Sequence, residues 1–71
     1  MLNADVISKK LIDLRGSKSR EEVANANKIS VSALGMYETG KRIPRDEIKL
    51  SLARYYKVSI EELFFADVVH N

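Results

Sequence analysis

The stretch Ser19–Glu38, SREEVANANKISVSALGMYE, decides the fold of this chain. Its first part contains a capping box, because Ser19 is followed three residues later by Glu22. In such a box the serine hydroxyl accepts a hydrogen bond from the backbone N–H of the third helical residue. A helix is therefore predicted to begin directly after Ser19.

A second short helix is predicted in the same stretch, from Val31 to about Glu38. Ser30 is positioned to cap its start, and Thr39-Gly40 follows with glycine where helices commonly end. Between the two helices, Asn27-Lys28 predicts a turn, since asparagine tolerates the left-handed conformation. The stretch therefore predicts two helices joined by a tight turn.

The small residue Ala24 lies where the two helix backbones would cross, which is typical of a helix-turn-helix. Further segments accompany it, namely LRGSKSREEVA, ISVSAL, MYETGKRIPRDE and YYKVSIEELFF. With them, the chain resembles the phage-repressor/Cro-like, xenobiotic-response-element type helix-turn-helix family over roughly residues 6–65. The resemblance implies an all-α, five-helix lambda-repressor-like domain that binds double-stranded DNA.

The other helices are predicted from apolar spacing and capping signals. They run from near Asp5 to Leu14, from about Asp46 to Tyr56, and from a second capping box at Ser59 through Phe64. The 71 residues are expected to form one domain, with a core of about residues 5–65 and a tail at 66–71. Because Asn27-Lys28 replaces the leucine-glycine usual in the family, either Asn27 takes the left-handed conformation or the turn is looser than in relatives.

The composition argues for a cytoplasmic protein. The chain has no cysteine, which fits a reducing compartment and excludes disulfides and thiolate metal sites. No apolar run reaches the roughly 20 residues that span a membrane, and the first residues do not resemble a signal peptide. We therefore expect no membrane association.

The charge distribution is uneven although the net charge is only +2. Basic residues are concentrated at residues 9–20 and at residues 41–45, whereas acids collect at residues 61–67. This pattern indicates either ordinary solvated surfaces or one end of the molecule that faces phosphates.

The resemblance implies that the second helix of the motif enters the major groove. The residues expected to face the bases are Val31, Ser32, Gly35 and Met36. Helical spacing independently gives Leu34 and Tyr37 as inward-facing. Val31 and Met36 are interpreted either as contacts to thymine methyl groups or as packing residues that the spacing misassigns.

This helix lacks the Arg, Asn or Gln that makes bidentate base contacts, and relatives often carry glutamine where Gly35 stands. Base discrimination is therefore expected to be modest, or to depend on DNA shape and apolar contacts. A glycine inside a helix costs roughly 1 kcal/mol relative to alanine. Either DNA or a partner approaches the Gly35 backbone too closely for a side chain, or the position is unconstrained.

Phosphate contacts are predicted at the ends of the two helices and in the following loop. The residues expected to make them are Ser19, Arg20, Ser30, Thr39, Lys41 and Arg42. The resemblance also implies a structural salt bridge, partly buried, between Arg15 and Glu38.

The predicted function is sequence-selective DNA binding by a small bacterial or prophage transcriptional regulator. Among regulators, a repressor is the favoured interpretation. It is expected to act as a homodimer, since one such domain covers too few base pairs. The residues proposed for the dimer interface are Leu50, Phe65, Val68 and Val69. Without a cluster of catalytic or metal-binding residues, no enzyme, cofactor or metal site is predicted. The alternative is a module that binds an unidentified protein, antitoxin-like or a partner of another regulator, through the same scaffold.

Overall fold

The computed structural model describes residues 4–64, and within this range the chain forms five α-helices and no strand. They are α1 (Ala4–Arg15), α2 (Arg20–Ala26), α3 (Val31–Glu38), α4 (Asp46–Tyr56) and α5 (Ile60–Phe64). The predicted all-α, five-helix fold is confirmed. Phe65 and the tail, with Val68 and Val69, lie outside the described residues.

Serine side chains cap three of these helices, as the sequence predicts. Ser19 Oγ accepts from the Glu22 N–H at 3.0 Å, and Ser30 Oγ accepts from the Ala33 N–H at 2.9 Å. At α5 the box is reciprocal, because the Ser59 N–H also donates to the Glu62 carboxylate at 3.3 Å. These bonds satisfy N–H groups that have no partner inside their helix. Helix α1 is one residue longer at each end than predicted.

The core lies at the junction of all five helices. Ala24, on the inner side of α2, is fully buried, and its lack of a large side chain allows α2 and α3 to cross closely. The buried apolar side chains around it are Ile7, Leu11, Val23, Leu34, Tyr37, Leu52, Ala53, Leu63 and Phe64. Burial of this set holds the exposed side of α3 in a fixed orientation.

The turn between α2 and α3 differs from the prediction. Lys28, with φ of +57°, takes the left-handed conformation, whereas Asn27 has φ of −102°. The cause is the end of α2, where the Ile29 N–H donates to the Ala24 carbonyl at 3.0 Å. This bond closes a Schellman motif, which needs its left-handed residue one position after Asn27.

Asn27 instead has a packing role, and its hydrogen bonds hold the turn in place. The buried Asn27 side chain donates to the Val23 carbonyl at 2.8 Å and accepts from the Ser51 hydroxyl at 2.6 Å. The second bond ties the turn to α4. A buried amide keeps both of its polar groups paired in this way, which is what burial requires.

Candidate nucleic-acid interface

Helix α3 has one buried side and one exposed side. Leu34 and Tyr37 are buried, while Val31 and Met36 are 42% and 37% exposed. Ser32 is exposed as well, and Gly35 is partly exposed. The predicted division of the helix is therefore confirmed. That its exposed side meets DNA bases remains a prediction.

Glu38, at the end of α3, is the centre of a buried ionic cluster. Its carboxylate is fully buried and accepts from Arg15 Nε and from Arg20 Nε, each at 2.8 Å. Arg15 Nη1 also donates to the Lys18 carbonyl at 2.8 Å. Two partners on one carboxylate compensate the loss of its hydration, which is large for a buried charge. The cluster ties α1 and the start of α2 to α3.

Arg20 also lies close to Gly35, which the sequence did not predict. Besides its bond to Glu38, its Nη1 lies only 3.4 Å from the point where a Cβ on Gly35 would be. The guanidinium thus lies over the α3 backbone, with the side chain 40% exposed. The sequence marks Arg20 and Gly35 separately as candidate DNA contacts, but their proximity depends on how α2 crosses α3.

Tyr56, on α4, lies near the same cluster. Burial, followed by the negative charges of Glu38 and of ionised Tyr55, raises the pKa of Tyr56 to about 12. The Tyr56 hydroxyl is buried without a hydrogen-bond partner in the described part of the chain. It therefore stays protonated across the physiological range, and its unpaired hydroxyl lowers the stability of the fold.

A groove of about 380 Å³ runs along the other side of α3, between this helix and the start of α4. Its charged residues are Lys28, Arg42 and Arg45, and no acid lines it. None of the three forms a salt bridge within residues 4–64. Neither Lys28 nor Arg45 is among the phosphate contacts predicted from the sequence, and Lys28 joins the two arginines only through the fold. We call these three residues the basic groove.

The similarity of the chain to a known protein family agrees with this geometry. A helix-turn-helix family model matches residues 9–63, which is most of the chain. The chain belongs to the Cro/repressor-like helix-turn-helix family. No curated protein and no solved structure matches it significantly. As a member of this family, it is a DNA-binding regulatory domain.

The hydroxyl groups of this helix-turn-helix domain differ in what they offer to a phosphate, which only accepts hydrogen bonds. Ser19 and Ser30 accept from backbone N–H groups, so their hydroxyl hydrogens stay available. Thr39 donates its hydroxyl hydrogen to the Gly35 carbonyl at 2.9 Å. A phosphate contact by Thr39, as predicted, therefore requires rotation of its side chain.

Two other kinds of site, a membrane span and a metal cluster, are absent from the described residues. Between residues 4 and 64, no helix has both the length and the apolar character needed to cross a membrane. The same part of the chain contains no group of three or more His, Cys, Asp or Glu side chains that could hold a metal ion.

Proposed function

We propose that this chain is a small bacterial or prophage transcriptional repressor that binds a specific duplex sequence as a homodimer in the cytoplasm. One observation carries the proposal. The exposed side of α3 lies between cations on both flanks, Arg15 and Arg20 on one and the basic groove on the other. A helix in the major groove has a phosphate backbone on each side, which is the charge pattern that such flanks complement.

The exposed side of α3 would contact the bases. Val31 and Met36 would contact thymine methyl groups, and Ser32 would hydrogen-bond to a base or a nearby phosphate. These contacts are few and mainly apolar. Sequence preference in this proposal therefore also depends on the shape and deformability of the DNA.

Phosphates would be bound on both flanks of α3. Lys41 and Arg42 follow this helix in a loop, and their backbone N–H groups donate to the Met36 carbonyl at 3.0 and 3.3 Å. These bonds order the loop before DNA binds. Ser19 and Ser30 would add hydroxyl contacts. Lys28 and Arg45 join this set because they share the groove with Arg42.

A two-fold dimer would place two copies of α3 about 34 Å apart, one turn of DNA. Leu50 supports this part of the proposal, because it is 48% exposed on α4 and borders a small, mainly apolar depression with Ile60. Phe65, Val68 and Val69 remain proposed members of the interface. Sedimentation of Leu50→Glu should show a monomer, whereas Ile12→Glu, a change at an equally exposed residue of α1, should remain dimeric.

The proposal is tested by selecting bound fragments from random duplex DNA and by titrating salt against binding. Phosphate contacts predict a linear fall of log K with log salt, with a slope near −0.9 per phosphate neutralised. A steep slope together with an enriched sequence is the expected result. The absence of both an enriched sequence and a salt-dependent affinity would contradict the proposal.

A protein-interaction module is the second possibility, and the exposed apolar side chains of Val31 and Met36 favour it. Apolar residues are typical of the buried centre of a protein interface. In that case the Val31→Ser and Met36→Ser variants would keep the same weak, salt-dependent DNA binding as the unchanged chain. Under the DNA-binding proposal they lose affinity for the selected sequence only.

A further inference from the structure

The exposed side of α3 contains no residue able to make a bidentate base contact, yet a guanidinium from α2 lies across it. Arg20 Nη1 comes within 3.4 Å of the Cβ position of Gly35, in the centre of α3. The Arg20 Nε donates to Glu38 at 2.8 Å, and no hydrogen bond inside residues 4–64 involves either terminal nitrogen. The two terminal nitrogens are therefore available for a ligand.

The anchoring bond to Glu38 determines which edge of the guanidinium is presented. With Nε directed at the carboxylate, the edge formed by Nη1 and Nη2 points away from it. This edge has two parallel N–H donors, which match the O6 and N7 acceptors of guanine in the major groove. Because Glu38 is fully buried and also bound to Arg15, the anchor itself is held in place.

We propose that Arg20 reads a guanine in the major groove, with Glu38 as its positioning residue and Gly35 as the opening that admits it. This inference rests on the proposed DNA binding and names the base contact that α3 itself lacks. It also gives a reason for Gly35 other than an unconstrained position, because a longer side chain there would occupy the volume of the guanidinium. Direct approach of DNA to the Gly35 backbone is not required.

The test replaces single guanines of the selected duplex by 7-deazaguanine, which removes N7 and keeps base pairing. The unchanged protein should lose about tenfold in affinity at one G·C pair per half-site. Arg20→Gln should bind the unmodified duplex more weakly and show no further loss on 7-deazaguanine. Arg20→Lys should keep only part of the sensitivity, because its ammonium keeps the charge but lacks the rigid pair of parallel donors.

Two variants at Gly35 keep Glu38 and both of its arginines, so they remain informative if Arg20→Gln unfolds. Gly35→Ala should keep the sensitivity to 7-deazaguanine, since a methyl group 3.4 Å from Arg20 is an ordinary contact. Gly35→Gln should lose that sensitivity, because its side chain displaces the guanidinium. Arg54→Gln, on the exposed end of α4, controls for the loss of one positive charge.

Two results would overturn the inference, and they are distinguishable. If Arg20→Gln weakens every duplex equally and the 7-deazaguanine effect persists, Arg20 binds phosphate, as the sequence analysis predicted. If the unchanged protein selects no sequence and shows no salt-dependent binding, the proposed function is wrong and the inference falls with it.

Discussion

The two flanks of α3 both carry arginines, but only the arginines of one flank have an acidic partner. On the first flank, Arg15 and Arg20 are held by the buried carboxylate of Glu38 at 2.8 Å. On the second flank, Arg42 and Arg45 share the basic groove with Lys28 and have no acidic partner among residues 4–64. One flank has fixed cations and the other has unpaired ones.

This difference separates two physical tasks in DNA recognition. A cation fixed by a buried acid presents its donors in one orientation, which suits a base edge with defined geometry. An unpaired cation adapts to a phosphate wherever the backbone passes, and its binding releases counterions. The first flank should therefore contribute most to stability and sequence preference, and the second should contribute most of the salt dependence.

The largest effect is expected from Glu38→Gln, which removes the charge that both arginines share. We expect a loss of about 3 kcal/mol in the free energy of unfolding, near the lower end for a broken buried ion pair because the arginines still reach water. Chemical denaturation measures it. Glu21→Gln, at an exposed position of α2, should cost less than about 0.5 kcal/mol. Equal effects of the two changes would show that the first flank is not special.

Arg42→Ala examines the second flank. It should leave the free energy of unfolding within about 0.5 kcal/mol of the original, because no salt bridge is lost. The slope of log K against log salt should become shallower by nearly one unit, and affinity should fall for all duplexes alike. An unchanged slope of log K against log salt would show that Arg42 does not bind a phosphate.

Lys28 and Lys57 form a matched pair, since each takes a left-handed conformation, at φ of +57° and +59°, after a helix end. Changing either to glycine should stabilise the fold by about 1 kcal/mol, because glycine adopts this conformation without steric cost. Only Lys28→Gly should weaken DNA binding, because Lys28 lines the basic groove. Equal losses of affinity for both variants would mean that net charge alone matters.

Tyr56→Phe should stabilise the fold by at most about 1 kcal/mol, because it removes a buried hydroxyl without a partner. The raised pKa of Tyr56, about 12 in the folded chain against about 10 unfolded, also predicts a pH effect. Ionisation of this group does not affect stability below pH 10, and stability falls between pH 10 and 12 because the unfolded chain ionises first. Denaturation across this range should therefore show a smaller loss in Tyr56→Phe than in the unchanged chain.

Much of this architecture could be predicted because its causes are local. The caps at Ser19, Ser30 and Ser59 act within one helical turn, and apolar spacing gives the buried side of α3. The left-handed residue of the α2–α3 turn was predicted wrongly. Asparagine's preference was outweighed by the Schellman geometry and by the bond between Asn27 and Ser51, a residue of α4.

The parts of the interface that sequence reasoning missed depend on contacts between distant residues. Arg20 and Gly35 meet only because α2 crosses α3 at a particular angle. Similarly, Lys28 joins Arg42 and Arg45 only when the α2–α3 turn packs beside the start of α4. Helical periodicity describes one helix at a time and cannot predict such contacts between elements.

The exposed side of α3 and its two flanks should together form the DNA-binding surface. Amide NMR shifts of the 15N-labelled protein, followed while the selected duplex is titrated in, show where the DNA binds. The largest shifts are expected at Ser32, Gly35 and Met36 and at Lys41 and Arg42, with little change along the exposed part of α1. Shifts confined to α4 and α5, around Leu50, with none on α3, would contradict it.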